Sequence, residues 1–465
     1  MAYPFQDTEC SNLSIDSRQR IRSDWGRLRT KIGSKAKKVS ANLSSKVLAF
    51  KPLTKAIKLE QASRKNKFKF EGLEPRLLFS ADPLTALLES ATNMELTVES
   101  DSVLLRDLSD NSILAQQLLA DTSSVFITGS LGDDSLTIDN SIFANGNSLS
   151  VTFDGGDGVD RISGSTLTGS INWGFVGYDT GEESQAGDIF FSDIESLVAG
   201  TGTNTLLGDD VDRNWVLSEV DTKTQIDTTF FDGTAGASRF TDFDAIIAGL
   251  ENDYIVDQSN TSSWDITTFG AGSIDGFNFD NFEFLTGGSG LDTLLNFSSY
   301  TQGINVDLTT DADNDNYGYA SGFEGVLGFE HVTGSAFDDW IFGDSASNTI
   351  IGLDGDDTLK GGTGNDNLQG GDDTDTLIVE RNARLDLFDT ELLVDAVKED
   401  DISDFENANL IGGVDGNIID ASSFTLGYVV LDGRGGDDFL TGTDFDDTLT
   451  GGLGVDSIDG GSGGV

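Results

Sequence analysis

The sequence predicts an all-β repeat fold, a solenoid in which short strands alternate with tight turns. A nine-residue period runs without interruption from Gly334 to Ile378, with units that read GSAFDDWIF, GDSASNTII, GLDGDDTLK, GGTGNDNLQ and GGDDTDTLI. Position 1 is always glycine and position 8 is always aliphatic. Fixed self-similarity of this kind predicts stacked structural units. A flexible Gly/Asp-rich linker, the alternative, would not keep an aliphatic residue at every position 8.

Each unit divides into a turn and a very short strand. Glycine permits the positive φ angles that tight turns need, and the apolar residue at position 8 points inward between outward-facing neighbours. A second array follows from Gly433, and isolated units of the same form begin at Gly129, Gly155 and Gly287. Position 6 is Asp or Asn throughout, and it supplies the candidate metal ligands Asp339, Asn348, Asp357, Asp366, Asp375, Asp438, Asp447, Asp456, Asp292, Asp134 and Asp160.

The arrays resemble the RTX, or hemolysin-type, calcium-binding repeat G-G-x-G-x-D-x-U-x. The resemblance covers Gly303–Ile378 and Gly412–Val465, and more loosely Gly129–Leu295. It implies that two nonapeptides form one layer and that layers stack as a right-handed parallel β-roll within an all-β solenoid. Units two apart would then share an edge, with Asp339, Asp357 and Asp375 on one edge and Asn348 and Asp366 on the other.

Stacked carboxylates create an electrostatic problem that a cation would solve. Strands of a sheet lie about 4.8 Å apart, so carboxylates on one edge would repel by roughly 3 kcal/mol per pair at an effective dielectric of about 20. Calcium accepts about 6–8 oxygen ligands in flexible geometry, whereas magnesium requires a stricter octahedron. Zinc prefers Cys or His, and the chain has one of each, Cys10 and His331. The expected cofactor is therefore Ca²⁺.

Charge is distributed very unevenly along the 465 residues. Residues 1–80 contain 18 Lys+Arg and 7 Asp+Glu, a net charge of +11, which leaves 10 basic and 73 acidic residues, a net charge of −63, for the remainder. A body of that charge repels itself unless counter-ions bind, and it excludes nucleic acid as a partner. No apolar run approaches the roughly 18–20 residues of a membrane span. The N-terminus also lacks the apolar core of a secretory signal.

The sequence divides into seven segments. We predict a basic leader, mostly disordered and partly helical, over 1–72, a LEPR-XLL motif over 73–83 (LEPRLLFSADP), and a short helical linker or cap over 84–124. The helix is expected from the spacing of the leucines in residues 101–120. An irregular β-solenoid follows over 125–333, then array 1 over 334–378, a connecting segment over 379–411, and array 2 over 412–465, which stops partway through a unit and is predicted to be truncated.

A longer repeated unit runs through the irregular segment. The pattern Phe191, Ile194-Glu195, Leu197 recurs at an offset of 49 and again at a further offset of 39, and looser copies begin at Phe329 and Phe405. We predict that these units are successive layers of a larger solenoid whose insertions form loops.

The sequence predicts a calcium-binding secreted or cell-surface repeat protein. The LEPR-XLL motif resembles a segment of very large bacterial surface proteins, which implies an adhesin-like structural protein, or the N-terminal part of one, outside a Gram-negative-type cell. Cell-surface glycans or other surface proteins are the expected partners besides calcium. The alternatives are a metal-free solenoid and a secreted enzyme acting on polysaccharide or lipid. Because carboxylates are frequent everywhere, we expect no identifiable catalytic residue.

Overall fold

The fold is all-β, as the sequence predicts. The computed structural model describes residues 81–144, 147, 149–175, 188–208, 213–218, 224–230, 238–249, 252–258, 262–288, 293–310 and 317–463. These residues contain forty strands and two 3-10 turns, at Leu119–Asp121 and Asn140–Ile142, but no α-helix. The basic leader and most of the LEPR-XLL motif lie outside the described residues.

The strands are short and are distributed along the whole described chain. The first seventeen are β1 (Asp82–Leu87), β2 (Asn93–Glu99), β3 (Ser102–Asp107), β4 (Ile113–Leu118), β5 (Thr122–Thr128), β6 (Ser135–Ile138), β7 (Ser150–Asp154), β8 (Arg161–Ser163), β9 (Ile171–Phe175), β10 (Ile189–Ser192), β11 (Ser196–Val198), β12 (Asn204–Leu207), β13 (Arg213–Ser218), β14 (Thr224–Phe230), β15 (Ser238–Phe243), β16 (Ala245–Ile247) and β17 (Asp253–Asp257). The next nine are β18 (Ser263–Thr268), β19 (Ala271–Ile274), β20 (Phe277–Asp280), β21 (Phe284–Thr286), β22 (Leu294–Asn296), β23 (Asn305–Asp307), β24 (Gly318–Ala320), β25 (Phe323–Leu327) and β26 (His331–Thr333). The last fourteen are β27 (Trp340–Phe342), β28 (Thr349–Asp354), β29 (Thr358–Lys360), β30 (Asn367–Asp372), β31 (Thr376–Glu380), β32 (Leu385–Phe388), β33 (Glu391–Val394), β34 (Val397–Ser403), β35 (Asn407–Ile411), β36 (Ile418–Ser423), β37 (Val429–Asp432), β38 (Phe439–Thr441), β39 (Thr448–Thr450) and β40 (Ser457–Asp459).

Within array 1 successive strands alternate between two sheets, and β27, β28 and β29 each pair in parallel with the strand 18 residues later. In one sheet Ile350 of β28 is opposite Leu368 of β30. In the other, Ile341 of β27 is opposite Leu359 of β29, which is opposite Leu377 of β31. Two nonapeptides therefore form one layer. The register places every position 8 above another position 8, as the nine-residue period predicts.

The insertions of the longer units form antiparallel strands and not the loops that we expected from the sequence. In four places a three-stranded meander replaces a single strand: β13–β15, β18–β20, β23–β25 and β32–β34. The outer strands of each meander pair in parallel with the neighbouring layers, as β15 does with β11 and β13 with β17. The fourth meander lies in segment 379–411, so the residues between the arrays continue the sheets.

The predicted helix at residues 101–120 is wrong, because this segment forms strands β3 and β4 of an antiparallel meander with β2. The turn between them contains Asn111 at φ 63°, and its Asp, Ser and Asn side chains favour turns over helices. Val103, Leu104 and Leu105 are all buried, whereas Ile113, Leu114 and Leu118 are exposed. The apolar spacing arose from two strands on either side of a turn.

The space between the sheets is filled by the residues at position 8. Ile341, Ile350, Leu359, Leu368 and Leu377 are at most 1% exposed. Phenylalanines of the longer unit fill the wider layers, where Phe191, Phe240, Phe279, Phe329 and Phe405 are buried together with three fully buried tryptophans, Trp173, Trp215 and Trp264. Burying these side chains is the main source of stability for the stack.

Candidate calcium-binding turns

The position-6 side chains form hydrogen-bonded rows along the edges of the stack. Asp357 Oδ1 accepts a hydrogen bond of 2.8 Å from the backbone N–H of Asp339, and Asp375 Oδ1 accepts one of 2.8 Å from the N–H of Asp357. On the other edge, Asp366 Oδ1 accepts from the N–H of Asn348 at 2.9 Å. The same contact joins Asp134 N to Asp160 Oδ1 at 2.6 Å. Each carboxylate is thus fixed to the layer before it.

Position 5 forms a second row in the opposite sense. Asp338 Oδ1 accepts from the N–H of Asp356 in the following layer at 3.1 Å, and Asp356 Oδ1 accepts from the N–H of Thr374 at 3.0 Å. In array 2, Asp437 Oδ1 accepts from Val455 N at 2.8 Å. Hydrogen bonds to an ionised acceptor are stronger than neutral ones, so the two rows together hold successive turns in register.

Acidic residues of the wider layers complete the rows, and the sequence reasoning did not assign them this function. Glu195 Oε2 accepts from Asp160 N at 2.6 Å, Glu406 Oε2 from Asp375 N at 2.9 Å, and Glu283 Oε2 from Asp253 N at 3.0 Å. The available signal was the recurrent pair of an apolar residue and glutamate in the longer unit, which the sequence indicates only as a mark of repetition.

Five position-6 aspartates have one buried oxygen without a hydrogen-bond partner. These oxygens are the Oδ2 atoms of Asp160, Asp357, Asp366, Asp375 and Asp438. All five side chains are at most 2% exposed. An unpaired buried carboxylate oxygen is costly, and a hard divalent cation is the partner that would remove that cost. These residues therefore fit a calcium ion, which would be held by Oδ2 together with backbone carbonyls of the turns.

The position-1 glycines bring carbonyl groups close to these oxygens. A Cβ on Gly352 would lie 2.1 Å from Asp357 Oδ2 and 2.5 Å from the carbonyl oxygen of Gly370 in the next layer. A Cβ on Gly433 would lie 2.3 Å from Asp438 Oδ2 and 2.7 Å from the carbonyl oxygen of Gly451. Only glycine leaves this space free, which explains its presence at position 1.

Carboxylates alone do not form the site. In the part of the chain that the structure describes, no three His, Cys, Asp or Glu side chains converge closely enough to hold a metal ion. A metal ion in these turns would therefore take most of its ligands from backbone carbonyls, which calcium accepts readily, whereas zinc prefers nitrogen and sulfur.

The other predicted ligands lie in different surroundings. Asp134, Asp339 and Asp447 each accept hydrogen bonds on both carboxylate oxygens, and Asn348 accepts at Oδ1 from Asp344 N at 3.0 Å. Asp456 is half-buried in the final turn, and its Oδ1 accepts from Asp438 N at 3.1 Å. Asp292 lies outside the described residues.

Burial makes several of these carboxylates hard to ionise in the absence of a cation. It raises the pKa of Asp357 to about 8, with a further contribution from the charges of Asp339 and Asp375. Burial also raises the pKa of Asp375 to about 6 and that of Asp400, whose Oδ1 accepts from Asp366 N, to about 7. Because these values exceed the ordinary value of about 3.9, the folded protein binds the protons more tightly than the unfolded chain does. The stability so gained is complete below about pH 4 and is lost as the pH rises towards about 8.

The geometry of the turns agrees with a comparison to protein families. The family model of the RTX calcium-binding nonapeptide repeat (4 copies) matches residues 324–359, 351–381 and 432–464. These segments are similar to RTX calcium-binding repeats. The repeats indicate calcium binding, a β-roll and a protein of the secreted type, so the predicted resemblance to RTX proteins is confirmed at this level. None of the curated proteins matches the sequence.

The RTX matches include Asp339, Asn348, Asp357, Asp366, Asp375, Asp438, Asp447 and Asp456, and leave out Asp134, Asp160 and Asp292. Among the described residues, the structure has no helix of sufficient length and hydrophobicity to cross a membrane.

Proposed function

We propose that this chain is a secreted or cell-surface protein that folds as a right-handed parallel β-solenoid when calcium binds to its turns outside the cell. The observation that supports this most directly is the set of five buried, unpaired carboxylate oxygens at Asp160, Asp357, Asp366, Asp375 and Asp438. The RTX matches support the choice of calcium. Metal binding and folding of the stack would then be a single event.

The proposed coupling explains how so acidic a chain could remain exportable. Cytosolic calcium is scarce, so the turns would stay unneutralised there, and the net charge of −52 would oppose compaction. Extracellular calcium modules have dissociation constants of about 10⁻⁴–10⁻³ M. The repeats would therefore order only after they reach the calcium outside the cell.

We further propose a structural, adhesin-like role at the surface of a Gram-negative-type cell. The support is the continuous stacking of both sheets from β1 to β40, which gives a long scaffold, together with the LEPR-XLL segment at 73–83. Glycans or other surface proteins are the proposed partners. Fractionation of producing cells, with a chelator wash, tests this role. A protein held at the surface should be detected on intact cells, and a cytosolic protein should not.

A calcium titration of the full chain tests the folding proposal. Starting from chelator-treated protein, β-sheet circular dichroism should rise cooperatively with calcium and disappear when EDTA is added. Magnesium at the same concentration should not replace calcium, because its octahedral geometry suits carbonyl-rich turns poorly. A sheet signal that is complete in EDTA and indifferent to calcium would exclude the proposal and favour a metal-free solenoid.

A further inference from the structure

The turns fall into two classes that the position-6 residue does not reveal. In the first class, which we call closed turns, the backbone N–H of position 2 donates to the position-6 side chain. Ser335 N donates to Asp339 Oδ2 at 2.6 Å, and Thr443 N donates to Asp447 Oδ2 at 2.7 Å. The closed turns begin at Gly129, Gly334, Gly343, Gly412 and Gly442.

Closed turns satisfy their position-6 side chains with uncharged donors. Asp339 Oδ1 accepts from Ser335 Oγ and from Ile304 N, both at 2.8 Å. In the turns of Gly343 and Gly412 an asparagine occupies position 6, and its Nδ2 donates to a backbone carbonyl. For Asn348 this is the carbonyl of Glu330, at 3.0 Å. A cation in such a turn would have to displace existing hydrogen bonds.

The second class, the open turns, has a different backbone. Positions 2 and 4 both have positive φ, as at Gly362 (103°) and Gly364 (139°). The open turns begin at Gly155, Gly352, Gly361, Gly370, Gly433 and Gly451. In the first five of these the position-6 Oδ2 is buried and has no hydrogen-bond partner. In the closed turns neither position 2 nor position 4 has positive φ.

In four rows of the stack a closed turn comes before the open turns. Asp134 of a closed turn precedes Asp160 of an open turn, and Asp339 precedes Asp357 and then Asp375. The other rows also begin with a closed turn, as Asn348 precedes Asp366 and Asn417 precedes Asp438 and then Asp456. In each of these rows the first open carboxylate accepts its layer-to-layer hydrogen bond from the closed turn before it.

We infer that the closed turns bind no calcium, and that those of Gly129, Gly334, Gly343 and Gly412 each serve as a metal-free first layer on which the calcium-binding open turns are ordered. This inference rests on the proposed calcium function and narrows it to Asp160, Asp357, Asp366, Asp375 and Asp438, with Asp456 in the final turn. The closed turn needs no ion because its own N–H and hydroxyl groups hold its side chain. It presents the position-6 N–H that positions the first open carboxylate.

A matched pair of substitutions in one row separates the two classes. Asp357→Asn removes the charge from an open turn, whereas Asp339→Asn removes it from the closed turn one layer earlier. Asparagine already occupies position 6 in the closed turns of Asn348 and Asn417, so Asp339→Asn should fold. Bound calcium per full-length chain is measured by equilibrium dialysis in ⁴⁵Ca²⁺, with the midpoint of calcium-induced circular dichroism as a second readout.

We expect Asp357→Asn to lose one calcium per chain and to raise the midpoint several-fold, and Asp339→Asn to keep the full complement. Loss of one calcium in both variants would overturn the inference and leave the proposed calcium function intact. No loss in either variant would also overturn the inference, because the Asp357 carboxylate would then hold no ion, whereas a parent chain that binds no calcium would contradict the proposed function itself.

A gain of function gives an independent test if Asp339→Asn fails to fold. The double variant Ser335→Gly/Phe337→Gly gives the closed turn of Gly334 glycine at positions 2 and 4 and removes the Ser335 hydroxyl. Phe337 is 47% exposed, so little core packing is lost. The variant should bind one calcium more than the parent and should need more calcium to fold. An unchanged calcium count would overturn the inference if the residue-335 amide has lost, in hydrogen exchange, the protection that its hydrogen bond to Asp339 gives in the parent.

Discussion

Replacing Gly352 by alanine should raise the calcium concentration needed for folding. The added Cβ would lie 2.1 Å from Asp357 Oδ2 and 2.5 Å from the carbonyl oxygen of Gly370, both closer than real contacts allow. Overpacking of this kind costs about 1–3 kcal/mol. If the three open turns of array 1 bind calcium cooperatively with folding, a loss of about 2 kcal/mol spread over three ions raises the midpoint roughly threefold, and the full range gives roughly two- to fivefold.

The matched control is Gly169→Ala. A Cβ at Gly169 has no neighbour within 4 Å, so this change should move the calcium midpoint by less than about 1.5-fold, in keeping with the usual small effect of a surface substitution. Both midpoints come from circular dichroism of the full-length chain titrated with calcium at constant ionic strength. Equal midpoints for the parent and Gly352→Ala would refute the packing of Gly352 against Asp357 Oδ2.

Three further predictions concern acid, the core and a buried tryptophan. Because the pKa values of Asp357 (about 8) and Asp400 (about 7) are raised in the folded state, calcium-free protein should gain sheet signal as the pH falls from 8 to 5. A sheet signal of the calcium-free protein that does not change over this range would contradict this. Leu359→Ala should lower the free energy of unfolding in saturating calcium by about 2–5 kcal/mol, because the Leu359 side chain is fully buried. Unfolding in urea measures this, and a loss below about 1 kcal/mol would argue against the central packing of Leu359. Trp215→Phe should lower the free energy of unfolding by about 1–3 kcal/mol at any calcium concentration. The indole nitrogen donates to the buried Asp253 Oδ1 at 3.1 Å, and the substitution leaves that oxygen without this donor. Restoration of the parent stability by excess calcium would disprove that reasoning.

The stacking of the arrays could be predicted from the sequence because the nine-residue period determines which strands pair and in which register. With nine residues per unit and two units per layer, position 8 can face the core in every layer only if strands pair at an offset of 18. The structure confirms that offset at Ile341 and Leu359. The side on which each carboxylate lies follows from the same arithmetic, so the rows of Asp357 with Asp375 and of Asn348 with Asp366 were predictable.

The wider layers could not be predicted in the same way, because their strands pair across variable intervals. The offset of 49 takes Phe191 in β10 of one sheet to Phe240 in β15 of the other, so the prediction that these units are successive layers is wrong. Nor does the offset show that β13–β15 form an antiparallel meander. The helix predicted at residues 101–120 was wrong for a related reason. A helical period and two strands separated by a turn place leucines at similar intervals, and the turn residues from Asp107 to Ser112 decided between them.

The candidate site shows the sharpest limit of the sequence reasoning. Position 6 was treated as equivalent throughout, although its chemistry depends on positions 2 and 4, which set whether the N–H of position 2 reaches the carboxylate. Glycine content alone does not report this difference, because Leu353 (φ 93°), Asp373 (φ 86°) and Arg434 (φ 62°) occupy open-turn positions without being glycine. Such conformations cost about 1–3 kcal/mol each and persist only when the surroundings enforce them. The packing of adjacent layers and the proposed calcium ions would together provide that enforcement.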